Sequence, residues 1–173
     1  MKLFLIGYMG CGKSSLGRRL ARRLAVDFVD MDKAIEAEAE MTIPQIFATE
    51  GEEAFRQRER DMITKLGSME GDRIVATGGG APCREGNLEL LNSFGSTIYL
   101  KLPPEILVTR LCRHKEKRPL IAGKTDEEVA EFVSRSLAER ETYYQRASIV
   151  IDCAGRSDDY IVEHLYNFMR YNK

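Results

Sequence analysis

The stretch Gly7-Tyr8-Met9-Gly10-Cys11-Gly12-Lys13-Ser14 is a full match to G-x-x-x-x-G-K-[ST]. Glycines at these positions let the backbone turn so tightly that successive N–H groups point inward, at the oxygens of a phosphate. The apolar run 2–6 before the motif reads as a buried parallel strand, and Leu16, Leu20 and Leu24 after it recur at helical spacing. Strand, glycine turn and helix N-terminus together form the context in which this motif holds a nucleoside triphosphate. Lys13 would reach the β- and γ-phosphates and Ser14 would place its hydroxyl on Mg²⁺. Gly10, Cys11, Gly12, Lys13, Ser14 and Ser15 are therefore the expected ATP-binding residues. The plainer alternative, a glycine-rich turn beside a chance Lys-Ser pair, leaves the flanking strand and helix without an explanation.

Further chemistry lies in short clusters that only a fold could assemble. Asp30-Met31-Asp32 closes a second strand candidate, 27–30, at the carboxyl end where ligands bind in open α/β sheets. Two carboxylates one residue apart can divide two tasks. One supports Mg²⁺ through water, because that ion dehydrates reluctantly. The other hydrogen-bonds an acceptor hydroxyl and helps take its proton. The alternative is acidic decoration of a helix start. Gly78-Gly79-Gly80 follows the strand candidate 73–76 and suggests a ligand against bare backbone, or else a flexible turn. Arg56, Arg118, Arg140 and Arg156 are each either solvated surface charge or part of a site. A guanidinium pair is the expected clamp for an acceptor carboxylate. Arg118, in Arg118-Pro119-Leu120, is placed to neutralise charge on a phosphoryl group in transfer.

The elements that must position these residues follow from hydrophobic periodicity. Strands are expected over 2–6, 27–30, 73–76, 97–102 and 148–152. Helices are expected over 13–25, 31–40, 42–49, 52–66, 85–92, 106–112, 126–146 and 158–171, with Thr125 and Glu128 forming a capping box before the seventh. Alternation of strands and helices argues an α/β fold, a five-stranded parallel sheet flanked by helices. The 173 residues make one domain without repeat or linker, and the one unpatterned stretch, basic and irregular over 113–124, reads as a mobile lid.

Composition removes other classes. Hydrophobic residues are 43% and charged residues 31%, with a formal net charge of −1, so wholesale binding of nucleic acid or membrane is not expected. No aromatic residue interleaves the basic stretch 113–124 for base stacking. Cys11, Cys83, Cys112 and Cys153 form no CxxC and read as free thiols of a reducing compartment. The N-terminal apolar run is too short for a signal peptide, and nothing approaches the roughly 18 apolar residues of a membrane span. A cytoplasmic monomer acting on small molecules is expected. With no N-K-x-D guanine signature, the reading that remains is a small kinase whose acceptor is shielded from water.

These residues resemble the shikimate kinase family over nearly the whole chain. The loop at 7–14 is followed by Asp30-x-Asp32-x-x-Ile35-Glu36, Ile46-Phe47 and Gly51-Glu52-x-x-Phe55-Arg56. Gly78-Gly79-Gly80, Arg118-Pro119-Leu120 and Arg140-x-x-x-Tyr144 complete the set. Each later motif is short, and the specificity lies in their order and spacing. The resemblance implies a P-loop NTPase three-layer sandwich of the nucleoside monophosphate kinase-like type, with a shikimate-binding region at about 31–60 and a lid at about 112–124. It implies transfer from ATP to the 3-hydroxyl of shikimate, on the way to aromatic amino acids. Asp32 would bind the ring hydroxyls and receive the proton. Arg56 and Arg140 would hold the carboxylate, and the Gly78–Gly80 turn, through the Gly79 N–H, would meet the substrate. Asp30 would join Ser14 around Mg²⁺, Arg118 would reach the ATP phosphates, and Arg110 and Arg156 would lie on the adenine side. Lys13, Asp32 and Arg118 are thus the expected catalytic set. Ser15 stands where the family often has Thr, and Cys11 where a small residue is usual, which makes Cys11 an expected point at which oxidation or alkylation would block ATP. A gluconate kinase, a nucleotide kinase and a non-catalytic nucleotide switch are the competing readings.

Overall fold

The protein is described here by a computed structural model covering residues 1–171. Its strands are β1 (Lys2–Ile6), β2 (Asp27–Asp30), β3 (Arg73–Ala76), β4 (Ser96–Lys101) and β5 (Ile149–Asp152). They form one sheet in the order β2-β3-β1-β4-β5, with every neighbouring pair parallel. Leu3, Phe4, Leu5 and Ile6 of the central strand are fully buried, as a strand covered on both faces requires. Around β1 the chain first builds towards β3 and β2, then crosses to β4 and β5. That reversal opens a crevice beyond the strands' carboxyl ends. Ala76 pairs with Leu5 on one side and with Asp30 on the other, so the segments leaving β1, β2 and β3 emerge at one level.

The helices are α1 (Lys13–Leu24), α2 (Met31–Ala39), α3 (Ile43–Thr49), α4 (Gly51–Ser68), α5 (Asn87–Phe94), α6 (Pro104–Cys112), α7 (Asp126–Tyr144) and α8 (Asp158–Tyr171). They flank the sheet in a three-layer arrangement: α1 packs on β2, β3 and α8, while α4 packs on α2, α3 and α5, and α6 packs on α7. α1 turns Leu16, Gly17, Leu20 and Ala21 inward. A Cβ at Gly17 would lie 2.7 Å from a Phe28 ring atom and 2.9 Å from Leu5, so the glycine lets α1 sit hard against the sheet. That contact sets the height of the glycine loop that precedes α1.

Capping boxes close the starts of α3 (Thr42 with Gln45) and α7 (Thr125 with Glu128). Several element ends differ from the sequence expectation. α1 and α2 each stop one residue early because Ala25 (φ 54°) and Glu40 (φ 51°) adopt the left-handed conformation as C-caps. Neither is the glycine that would have announced such a stop. α5 begins at Asn87 because Gly86, at φ 74°, turns the chain immediately before it. α4 begins earlier than expected, at Gly51, α6 starts on Pro104, a residue suited to a first helical position, and α7 ends at Tyr144.

The stretch 113–124 is compact. It holds a 3₁₀ turn over Lys115–Lys117, followed by a tight turn in which the Ile121 and Ala122 N–H groups donate to the Arg118 carbonyl at 3.0 and 2.8 Å. Ile121 is fully buried, whereas its neighbour Leu120 is 62% exposed. Among the described residues, no helix is long and apolar enough to cross a membrane. Gly17→Ala should lower unfolding stability by about 1–3 kcal/mol, the usual cost of overpacking, in urea denaturation. An unchanged transition midpoint would show that α1 is not held at its closest approach.

Candidate active site

The loop between β1 and α1 is shaped by Gly10 (φ 83°) and Gly12 (φ 104°), conformations that side-chain-bearing residues rarely adopt. The Lys13 ammonium folds back over the loop and donates to the carbonyls of Gly7 (2.8 Å) and Tyr8 (3.0 Å). Ser14 Oγ donates to Asp30 Oδ2 at 2.6 Å, and the same carboxylate caps α2 by accepting from the Lys33 N–H. The shared level of the β1 and β2 ends brings these two residues together.

A cavity of about 340 Å³ opens over the loop. Gly10, Gly12, Lys13, Ser14 and Ser15 line one side of it, and Asp30, Asp32, Gly79 and Arg118 also reach it. A second cleft, about 490 Å³, runs between α1 and α8. Its arginines are largely consumed by acidic neighbours, Arg19 by Asp159 and Arg23 by Glu163, so the first cavity is the one with chemistry to offer.

The turn after β3 explains its three glycines. A Cβ on Gly78 would stand 2.7 Å from Asp32 Oδ1 and 3.1 Å from Glu59 Oε1. On Gly79 it would meet Arg140 Nη1 at 3.5 Å, and on Gly80 it would meet Arg56 Nη1 at 3.1 Å. Bare backbone at Gly78 and Gly80 thus lets Asp32, Glu59 and Arg56 close in, while Arg140 meets the turn at Gly79 at ordinary contact distance. Arg56 donates to Glu59 at 2.8 Å and to Glu52 at 3.1 Å. Burial pushes the Asp32 carboxyl up from its ordinary value; the charges of Lys13 and Arg56 oppose that, and those of Asp30 and Glu36 add to it. Burial likewise raises Glu59, against the pull of Arg56.

Charge is left over on the cationic side. Arg58 pairs with Glu50 at 2.8 Å and Lys115 with Asp126 at 2.8 Å, but Lys13, Arg118 and Arg140 have no carboxylate partner within ion-pair distance among the described residues. Unpaired cations around one cavity suit a polyanionic ligand. Arg110 reaches the loop from α6, with Nη1 3.4 Å from the Gly10 carbonyl. Arg156 lies outside the cavity, its guanidinium over the Tyr160 ring at 5.1 Å. Cys11 is only 1% exposed and packs in the core, with its sulfur 3.9 Å from the Lys13 ammonium, so a reagent has little direct access to it.

Sequence reasoning gave no role to Glu59, Thr77 or Tyr8, and named Tyr144 only as part of the Arg140-x-x-x-Tyr144 motif. Glu59 occupies a core position on α4, among Phe55, Met62, Ile63 and Leu66, and a lone acid on an apolar stripe was the signal available. Thr77 lines the cavity while its hydroxyl donates to the Leu5 carbonyl at 3.1 Å. Tyr144 is fully buried and donates to the Gly79 carbonyl at 2.6 Å. Both tyrosines look like ordinary core residues in sequence. No group of three or more His, Cys, Asp or Glu side chains capable of holding a metal occurs among the described residues.

A loop built to cradle phosphates, facing a carboxylate made more basic by burial across the crevice of this sheet, defines a P-loop phosphotransferase of nucleoside monophosphate kinase-like fold. Comparison with known proteins narrows the class. The shikimate kinase family profile matches residues 9–170. The shikimate kinase of Bacteroides fragilis is 39% identical over 159 residues, 92% of this chain and 88% of that protein. The crystal structure of shikimate kinase from Bacteroides thetaiotaomicron superposes with a TM-score of 0.91 at 34% identity, covering 98% of each chain. Shikimate kinase from Acinetobacter baumannii, solved in complex with shikimate, gives a TM-score of 0.86 at 32% identity, covering 99% of this chain and 94% of that one. The chain belongs to the shikimate kinase family. It is an enzyme that phosphorylates shikimate from ATP, yielding shikimate 3-phosphate.

Two outcomes follow from the crowding at Gly78. Gly78→Ala should displace the Asp32 carboxylate and cut turnover by at least about tenfold while leaving the fold intact by circular dichroism; near-normal turnover would mean the close approach is dispensable. A raised carboxyl pKa means that ionised Asp32 costs stability at neutral pH, and that this cost vanishes as pH falls below the ordinary aspartate value of 3.8, where folded and unfolded states are both protonated. Asp32→Asn should therefore raise the melting temperature at pH 7, lose that advantage near pH 3.5, and reduce turnover by about 10²-fold or more.

Proposed function

We propose that the phosphoryl transfer is run by Lys13, Asp32 and Arg118, with shikimate held over the Gly78–Gly80 turn. The observation that carries this reading is the convergence of Asp32, Arg56, Glu59 and Arg140 on three glycines beside the phosphate loop. In this reading Gly10 to Ser15 wrap the ATP phosphates. Lys13 exchanges its contacts with the Gly7 and Tyr8 carbonyls for phosphate oxygens. Arg56 and Arg140 take the shikimate carboxylate, the use to which a guanidinium is best suited. The Gly79 N–H faces the substrate, and Glu59 holds Arg56 in place.

Asp32 orients the 3-hydroxyl towards the γ-phosphate and accepts its proton, a task helped by burial having raised its basicity. Most of the acceleration is positioning and charge neutralisation, because the transferred group needs little covalent help. Ser14 Oγ and Asp30 Oδ2, 2.6 Å apart, are a hard-oxygen pair fit to hold Mg²⁺ with water and phosphate completing its shell. When bound, the ion supplies charge neutralisation at the phosphates. Residues 31–60 form the shikimate-binding region. The segment 112–124 acts as a lid that carries Arg118 over the phosphates and keeps water out. Arg110 and Arg156 both act electrostatically on Cys153 at the end of β5, which supports a position on the same side of the loop, that of the adenine.

The test is ADP release with Mg·ATP and, side by side, shikimate, gluconate and nucleoside monophosphates. Shikimate alone should stimulate it strongly, and preference for another acceptor would overturn the residue assignments. Arg140→Ala should raise the shikimate KM by roughly 10–100-fold, the worth of a hydrogen bond to a charged group, with a smaller change in the ATP KM. An unaltered shikimate KM would remove Arg140 from the clamp.

A further inference from the structure

We infer that Tyr8, inside the phosphate loop, is a positioning residue for Arg140 and so sets the affinity for the acceptor rather than for the nucleotide. The inference rests on the reading of Arg140 as a carboxylate clamp. Tyr8 occupies a variable position of the loop motif, where the chemistry of phosphate binding asks only for backbone. Yet its side chain is 1% exposed and ranks among the largest fully buried in the protein. The ring is absent from the lining of the phosphate cavity and lies under the Arg140 guanidinium, 5.4 Å from centroid to Cζ. An aromatic face at that distance attracts the cation.

The Tyr8 hydroxyl is fixed in turn. It meets Ser136 Oγ at 2.5 Å, and Ser136 donates its own hydrogen to the Phe132 carbonyl at 2.7 Å, which leaves Tyr8 as the donor. Burial raises the Tyr8 pKa, in keeping with a hydroxyl that stays protonated. The backbone is held as well, since the Tyr8 carbonyl accepts from the Cys11 N–H at 3.2 Å and from Lys13. The ring is therefore a fixed floor, tied at one end to the loop and at the other to α7.

Arg140 needs such a floor. It has no carboxylate partner among the described residues, and a side chain of its length has many rotamers to lose before it can grip a ligand. Ser136 and Arg140 are four residues apart and share one face of α7. The same face thus fixes the ring and presents the guanidinium that rests on it. Arg140 Nη1 ends 3.5 Å from where a Gly79 Cβ would be, at the edge of the cavity.

Steady-state kinetics of Tyr8→Leu and Tyr8→Phe, alone and combined with Arg140→Met, test this. Tyr8→Leu should raise the shikimate KM about three- to tenfold, as loss of a partly buried cation–π contact predicts, with smaller changes in kcat and ATP KM. Tyr8→Phe keeps the ring face and should raise it less than half as much. In the Arg140→Met background, Tyr8→Leu should add less than twofold, because the cation it positions is gone. Equal effects of Tyr8→Leu with and without Arg140 would overturn the inference, as would an ATP KM that rises as much as that for shikimate. A shikimate KM unmoved by Arg140→Met alone would instead overturn the clamp. If Tyr8→Leu does not fold, Ser136→Ala frees the hydroxyl end of the ring without touching the site. It should raise the shikimate KM modestly and selectively, and an unchanged or non-selective result overturns the inference in the same way.

Discussion

The site depends on a stretch of backbone with no side chains. Just after β3, Gly78 and Gly80 leave room for Asp32, Glu59 and Arg56 to close on the turn, and Arg140 reaches it at Gly79. A methyl group at Gly78 would collide with a carboxylate oxygen at 2.7 Å. Everything else serves this convergence. The register that pairs Ala76 with both Leu5 and Asp30 puts the turn beside the phosphate loop, and α4 and α7, far apart in the chain, bring one arginine each. Tyr144 then ties the turn to α7 through the Gly79 carbonyl.

The chain is nearly neutral, yet its charges are sorted. Several surface arginines are partnered by nearby acids, including Arg19, Arg23, Arg58 and Arg146. Lys13 and Arg118, which have no such partner, line the cavity, and Arg140 lies at its edge beside Gly79. A net charge of −1 conceals this, because composition counts charges and cannot say which of them are already satisfied. Asp32 and Glu59 sit among these cations and are still raised by burial, so desolvation outweighs the attraction. The structure holds both carboxylates at some cost to its own stability, a pattern that clusters at functional sites.

Much of this was legible in the residues. The phosphate loop could be read outright, because its chemistry is local: the backbone turn, the lysine and the hydroxyl are contiguous. The parallel sheet followed from alternation. Asp30 and Asp32 could be placed at a strand's end, though spacing alone did not divide their roles. Less legible were features that depend on long-range packing. Glu59 and Tyr8 gain meaning only when Gly78 and Arg140 are brought beside them. The ends of α1 and α2 were hidden for a local reason, since Ala25 and Glu40 take a left-handed conformation more often occupied by glycine. The basic stretch 113–124 gave no pattern because its order comes from one buried isoleucine and turns on the Arg118 carbonyl, not from a repeating face.

Ile121 pins that stretch to the core near its midpoint. A strap fastened only at its two ends must give up the freedom of its full length whenever it settles over a ligand. One riveted in the middle has already lost much of that freedom on folding. With backbone ordering worth about 1–2 kcal/mol per residue, residues tethered in this way have met that entropy cost on folding, before any ligand arrives. For Arg118, three residues away, the proposed lid role then means a short pivot about a fixed point rather than the swing of a free strap.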